Sequence, residues 1–180
     1  MKLAIAVAPL FLVTACATSA TNSLTNPRVV RPASDAQKSV LIERVKSLAG
    51  TWEGKAPEGP QTITFAVCSG GSAVREVMFP GTPHEMTNMY TMDGDTLLMT
   101  HYCAMGNQPR LTAEGDCATG PIHFNFVDGT NIARRDDAHM DSLIMTPGAD
   151  GQSLVNDWSS WQDGKVTGHK VMNLQRKRSW

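Results

Sequence analysis

The sequence predicts an all-β fold, an up-and-down antiparallel barrel of about ten strands preceded by one short N-terminal helix. Three observations predict it. From Gly50 onward, apolar and polar residues alternate along most short stretches. Turn residues (Gly, Pro, Asn, Asp) separate these stretches at short, regular intervals, and no helical period is interleaved among them. Closing such a run into a barrel removes the unpaired edges that an open sheet would expose, with a two-sheet sandwich as the alternative.

The chain of 180 residues opens MKLAIAVAPLFLVTAC. Lys2 is followed by an apolar run, Leu3 to Val13, too short to cross a bilayer as a helix. This is the pattern of a secretory signal. Val13-Thr14-Ala15-Cys16 resembles the lipobox of bacterial lipoproteins. That resemblance implies removal of residues 1–15, a thioether-linked diacylglycerol on Cys16, and a first mature residue at Cys16. Ala17 resembles the default outer-membrane sorting signal, so the expected location is the cell envelope, at the periplasmic face of the outer membrane. Each buried acyl methylene adds about 0.8 kcal/mol, which anchors the protein to the membrane without a transmembrane helix. Residues 16–33 are rich in Thr, Ser, Asn and Pro and read as a flexible tether. Residues 34–180 form one domain, large enough for a core of its own.

The formal net charge is −1. The only basic cluster, Arg176-Lys177-Arg178, closes the last strand, and no nucleic-acid partner is expected.

Ser34-Asp35 can cap a helix, and Val40, Leu41, Val45 and Leu48 recur at helical spacing, giving a helix over 35–48. Strands follow at GTWEGKA, TITFAV, AVREVMF, EMTNMYTM, TLLMTHYC, RLTAEGD, IHFNFV, HMDSLIM, SLVNDWSSW and KVTGHKVMNLQRK. In TITFAV, Ile63, Phe65 and Val67 alternate with threonine and alanine. SGGS at 69–72 is a turn, and DGD at 93–95 is a strong hairpin signal.

The junction LAGTWEGK, residues 48–55, resembles the Gly-x-Trp signature of the calycin superfamily, which includes lipocalins, fatty-acid-binding proteins and nitrobindin-like proteins. The resemblance implies that Gly50 turns the chain from helix to strand and that Trp52 plugs the barrel floor. By topology it covers residues 48–175. With Trp52 at the floor, the turns at 69–72, 93–95, 118–120 and 146–152 lie at that end. The turns at 56–60, 80–85, 106–109, 128–137 and 162–164 then form the mouth.

The stretch THYCAMGNQPR, residues 100–110, thereby approaches the mouth. His101 and Cys103 share a strand face, but a metal centre would need a third ligand from His84 or His169, and none is expected. Cys103 has no orienting acid or family signature for a nucleophile. Asp136-Asp137 with His139, and Glu53, are expected to be solvated charges. No Gly-x-Ser-x-Gly, His-Glu-x-x-His, P-loop or dinucleotide motif occurs, so no enzyme activity is expected. Trp158 and Trp161 in WSSW should face opposite sides of their strand.

A hairpin centred on Asn107-Gln108 would put Cys103 opposite about residue 112. Cys117 would then lie roughly 16 Å further along at strand rise, beyond disulfide reach. Any intramolecular disulfide is therefore expected between Cys68 and Cys117, with Cys103 free.

These readings favour a lipid-anchored binding module holding a small hydrophobic or amphipathic ligand. Phe65, Tyr90, Met99, Phe124 and Phe126 are the candidate wall contacts, and His101 and Arg110 would fix a polar end. The nitrobindin-like resemblance implies haem as an alternative, with His101 or His169 as axial ligand. A side-chain-filled barrel with a structural or interaction role is the third reading.

Overall fold

The computed structural model describes residues 35–113 and 119–178. Signal segment 1–15, tether 16–33, Ser34, Cys16 and Cys117 lie outside the described residues. Helix α1 (Asp35–Lys46) leads into ten strands: β1 (Gly50–Ala56), β2 (Gly59–Cys68), β3 (Ala73–Met78), β4 (Met86–Asp93), β5 (Thr96–Tyr102), β6 (Gln108–Ala113), β7 (Ile122–Thr130), β8 (His139–Pro147), β9 (Ser153–Gln162) and β10 (Lys165–Arg176). Every strand pairs antiparallel with its neighbours in sequence, and β10 pairs with β1 to close the barrel. This is the barrel that the alternation and turn signals predict.

Period-2 patterning sends one set of side chains inward. Ile63, Val74, Tyr90, Leu97, Met99, Leu111, Phe124, Leu143, Met145, Leu154, Met172 and Leu174 are buried in the core. The helix differs in detail from its prediction. Leu41, Ile42, Val45 and Leu48 form its buried face, whereas Val40 is 41% exposed. At 100° per residue, positions 40 and 42 flank the stripe of 41, 45 and 48 on opposite sides, and only the side of Ile42 is covered; the helix itself ends at Lys46, with Leu48 in the turn that follows.

The floor is held by one clasp. The chain leaves the helix through Gly50 at φ +127°, a backbone conformation that side chains rarely adopt, and a Cβ there would sit 3.2 Å from the Arg176 guanidinium. Trp52, fully buried, donates its indole N–H to the Leu48 carbonyl at 2.8 Å. Arg176, its register partner on β10, lays its guanidinium 4.3 Å from the Trp52 ring centroid. The same guanidinium donates to the carbonyls of Ala49 (2.6 Å), Ser47 (2.8 Å) and Gly151 (2.9 Å). One side chain thus ties the helix exit, the first strand, the last strand and the β8–β9 turn together. Trp52 sits where the Gly-x-Trp resemblance puts it, at the helix end of the barrel.

The β5–β6 turn departs from its prediction. Thr100 pairs with Arg110, and the Cys103 N–H donates to the Asn107 carbonyl at 3.1 Å, so the turn centres on Met105 rather than on Asn107-Gln108. Gly106, at φ +84°, supplies the left-handed residue that this shorter turn requires.

Trp52→Ala should lower unfolding free energy by about 3–5 kcal/mol, the usual cost of deleting a buried tryptophan. Arg176→Met, which keeps the aliphatic stem but removes the charge-assisted bonds, should cost roughly 1.5–3 kcal/mol. Because the two side chains share one contact, the double variant should lose less than the two single losses added together. Urea denaturation of the four proteins checks this; additive losses would mean that the clasp does not act as a unit.

Candidate functional site

The inner face of the barrel carries a row of polar residues that composition alone would not place in a core. Strand register puts Glu76 on β3 opposite Asn88 on β4, and Asn88 opposite His101 on β5, with Phe65 beside Glu76 on β2. All three polar residues are 1% exposed or less. Glu76 Oε2 accepts hydrogen bonds from Asn88 Nδ2 and from the Tyr90 hydroxyl, each at 2.6 Å. Asn88 turns its Oδ1 to His101 Nδ1, also at 2.6 Å. Since an amide oxygen can only accept, Nδ1 carries the imidazole proton and Nε2 is left with its lone pair.

The charges follow from burial. Desolvation raises the Glu76 pKa, opposed by its bonds from Asn88 and Tyr90. Burial likewise raises the Tyr90 hydroxyl well above its usual range, with the Glu76 charge adding to it. Burial lowers His101 to about 4, so the ring is neutral near pH 7.

His101 lines a pocket of about 210 Å³ together with Met78, Phe79, Met86, Met140, Trp158 and Lys170. Six strands, β3, β4, β5, β8, β9 and β10, bring these residues to the mouth end. Trp158 stacks near His101 with ring centroids 5.1 Å apart. Phe79 closes β3 at φ +53°, an unfavourable conformation for an aromatic residue that clusters at functional positions. Lys170 pairs with Glu58 at the rim. A larger hollow of about 510 Å³ is lined by Glu53–Ala56 and Gly59–Thr62 of the β1–β2 hairpin alone. Its only buried polar side chain is Gln61, so it lacks the converging groups of the mouth pocket.

Several buried polar atoms have no hydrogen-bond partner among the described residues: His101 Nε2, Glu76 Oε1, Trp158 Nε1 and both amide atoms of Gln61 and Asn156. An unsatisfied buried group costs roughly 1–3 kcal/mol. Such a concentration inside one barrel departs from what a simple packed core carries.

The predicted site residues separate into four groups. His101 lines the mouth pocket. Phe65, Tyr90, Met99 and Phe124 lie beneath it as tightly packed core, with Tyr90 centred 6.4 Å from Phe65 and 5.8 Å from Phe124. Phe126 lies to one side, 4.2 Å from the His139 ring and 5.0 Å from the Arg135 guanidinium. Arg110 does not line the cavity. It points outward from β6 and forms a two-pronged pair with Asp128 at 2.5 Å, both side chains being nearly half exposed.

The other candidates for chemistry are structural. Asp137 accepts bonds from the Ala133 and Arg134 backbone and pairs with Arg134 at 3.0 Å. Arg135 donates to His139 Nε2 (2.8 Å) and Asp141 (2.5 Å) while covering Trp161 at 4.1 Å. Glu53 pairs with Lys177 at 2.7 Å. His169 is exposed and pairs with Asp157 on the outer surface. Cys68 and Cys103 are free thiols, and burial raises the Cys103 pKa, which disfavours its thiolate. The expected Cys68–Cys117 pairing reaches outside the described residues. No cluster of three His, Cys, Asp or Glu that could hold a metal occurs among the described residues.

Sequence reasoning missed Glu76, Asn88, Met78, Met86 and Met140. The inward alternation of Met86, Asn88 and Tyr90 in EMTNMYTM was the available signal. It could not show which polar residues on other strands they meet.

His101 should remain neutral at pH 5.5 in ¹⁵N NMR spectra, with the proton on Nδ1. Because its folded pKa of about 4 lies below the unfolded value of 6.5, the unfolded state binds more protons between these limits. Its contribution is therefore present above pH 6.5 and lost as pH falls toward 4, on the order of 3 kcal/mol in full. Glu76, with a raised pKa, acts in the opposite sense above its unfolded value. The stability difference between wild type and His101→Gln, measured by urea melts from pH 7 to 4, isolates the histidine. A difference that does not vary with pH would contradict this assignment.

No protein-family model and no curated protein matches the sequence.

Proposed function

We propose that this protein is a lipid-anchored binding protein of the bacterial cell envelope that holds a small ligand in the pocket at the barrel mouth. The carrying observation is His101: its Nδ1 is fixed by Asn88, its Nε2 lone pair has no partner among the described residues, and it lines an otherwise mostly apolar pocket. Such a pocket supplies orientation through one lone-pair donor and affinity through apolar burial. The calycin-like reading of the Gly-x-Trp junction and the ten-strand closed barrel support a ligand-binding role. The lipobox supports the anchor at Cys16.

Pocket size limits the ligand. Small-molecule sites usually span about 300–1,000 Å³, and this pocket is about 210 Å³. The buried side chains of Phe65, Tyr90, Met99 and Phe124 fill the barrel beneath it. A long acyl tail therefore has no place there. The residues present do not fit a haem macrocycle either, although His101 alone would have the free ring nitrogen to ligate one, since His169 faces outward.

Phenol tests the pocket. Its ring matches the apolar wall and its hydroxyl can donate to Nε2. Wild type should bind phenol by calorimetry, and His101→Leu should bind it roughly tenfold more weakly, the effect of one hydrogen bond of about 1.4 kcal/mol. Equal affinities, or no binding to wild type, would remove His101 from the site. The anchor is tested separately: Cys16→Ser should move the protein from the membrane to the soluble fraction of its host, and unchanged fractionation would exclude lipidation.

A further inference from the structure

Three methionines line the same pocket as His101. Met78 and Met86 are direct register partners across β3 and β4, each one inner-face step nearer the mouth than the Glu76–Asn88 pair. Directly opposed cross-strand residues have Cβ atoms about 4.5–5.5 Å apart. The Met78 sulfur lies 3.5 Å from Asn88 Nδ2, next to the amide whose oxygen accepts from His101. Met140 enters the same pocket from β8 at a register irregularity, and Trp158 stacks against His101 from β9. The pocket therefore gathers three soft sulfur donors, one neutral ring nitrogen and an aromatic face.

We propose that the mouth pocket is a cuprous-ion site, with His101 Nε2 and the sulfur atoms of Met78, Met86 and Met140 as its donors. This rests on reading the mouth pocket as the binding site. Thioether and imidazole donors in an apolar setting select Cu(I) over hard divalent cations, which require oxygen ligands. Zn(II) prefers thiolate, imidazole and carboxylate, and the pocket lining contains neither thiolate nor carboxylate. The imidazole is prepared for this role by its hydrogen bonds. Its Nδ1–H is held by Asn88, which is in turn held by the Glu76 carboxyl, the outer-shell arrangement that fixes ring orientation and strengthens the other ring nitrogen as a ligand. Lys170, the one cation in the lining, is paired with Glu58 at the rim. Trp158 can shield the ion from solvent and face it with its ring electrons.

The test uses Ag(I) as a redox-silent probe of the cuprous site, in full-length protein with Cys16, Cys68, Cys103 and Cys117 replaced by serine so that thiols do not compete. Methionine-methyl NMR should show one Ag(I) bound per chain, with the Met78, Met86 and Met140 methyls shifting and those of the other methionines still. Cu(I), measured anaerobically against a chromogenic chelator, should bind at least tenfold more weakly to Met86→Leu/Met140→Leu. Leucine conserves volume at these half-buried positions, so that variant should fold, with an unchanged circular dichroism spectrum and urea midpoint as the check. Ag(I) shifts confined to other methionines, or unchanged Cu(I) affinity in the double variant, would overturn the metal assignment. If wild type still bound phenol in that case, the pocket itself would stand; failure of wild type to bind either would remove the pocket as well.

Discussion

The barrel depends on the contact between Arg176 and Trp52. A ten-strand sheet closes only if its last strand finds its first, and β1 meets β10 along the short register from Trp52 to Gly54. At the end of that register a guanidinium, with its donors fixed in a rigid fork, spans three carbonyls from the helix exit and the β8–β9 turn while covering the indole. The carbonyls at a helix C-terminus are unpaired by construction, and a cation placed there satisfies them. The floor is therefore both the seam of the sheet and the cap of the helix. Everything above it, including the pocket, inherits its position from that closure.

The polar row inside the barrel is costly and ordered. Burying Glu76 opposes its charge, and two short hydrogen bonds offset part of that cost. A leucine at the same position would leave the Asn88 amide and the Tyr90 hydroxyl without their shared acceptor. Polar groups retained against that penalty in a ring of register partners fix one rotamer after another, from carboxyl to amide to imidazole. The outcome is a histidine with one defined tautomer and one unused nitrogen. It lies in the lining of the mouth pocket, beside Phe79 with its positive φ, and the proposed binding role rests on that placement.

On the outer surface Arg110, Arg134, His169 and Lys177 are each paired with an acid, and the buried His139 is held by backbone and arginine contacts. Arg135, wedged between Phe126 and Trp161, packs the 131–138 loop against the wall. These contacts explain why acids and histidines that look suggestive side by side in the sequence are not gathered into a site.

The strand number and the antiparallel closure were legible in the sequence because their signals are local. Period-2 alternation, glycine-containing turns and the Gly-Thr-Trp junction each act over a few residues. The site was legible only at His101. Which polar residues meet inside depends on register, and register depends on turn length and irregularities that local patterning leaves open. Arg110 shows this most clearly. With the β5–β6 turn centred on Met105, Arg110 pairs with Thr100 and shares its outward face; a turn one residue longer would have turned Arg110 inward. In the same way, Met78, Met86 and Met140 are spread across more than sixty residues of sequence, and only closure of the barrel brings them into one pocket lining with His101. The sequence by itself determined the barrel, because alternation and turns are short-range. The tertiary structure alone decided the pocket, because its lining residues come from six strands whose relative register no single stretch encodes.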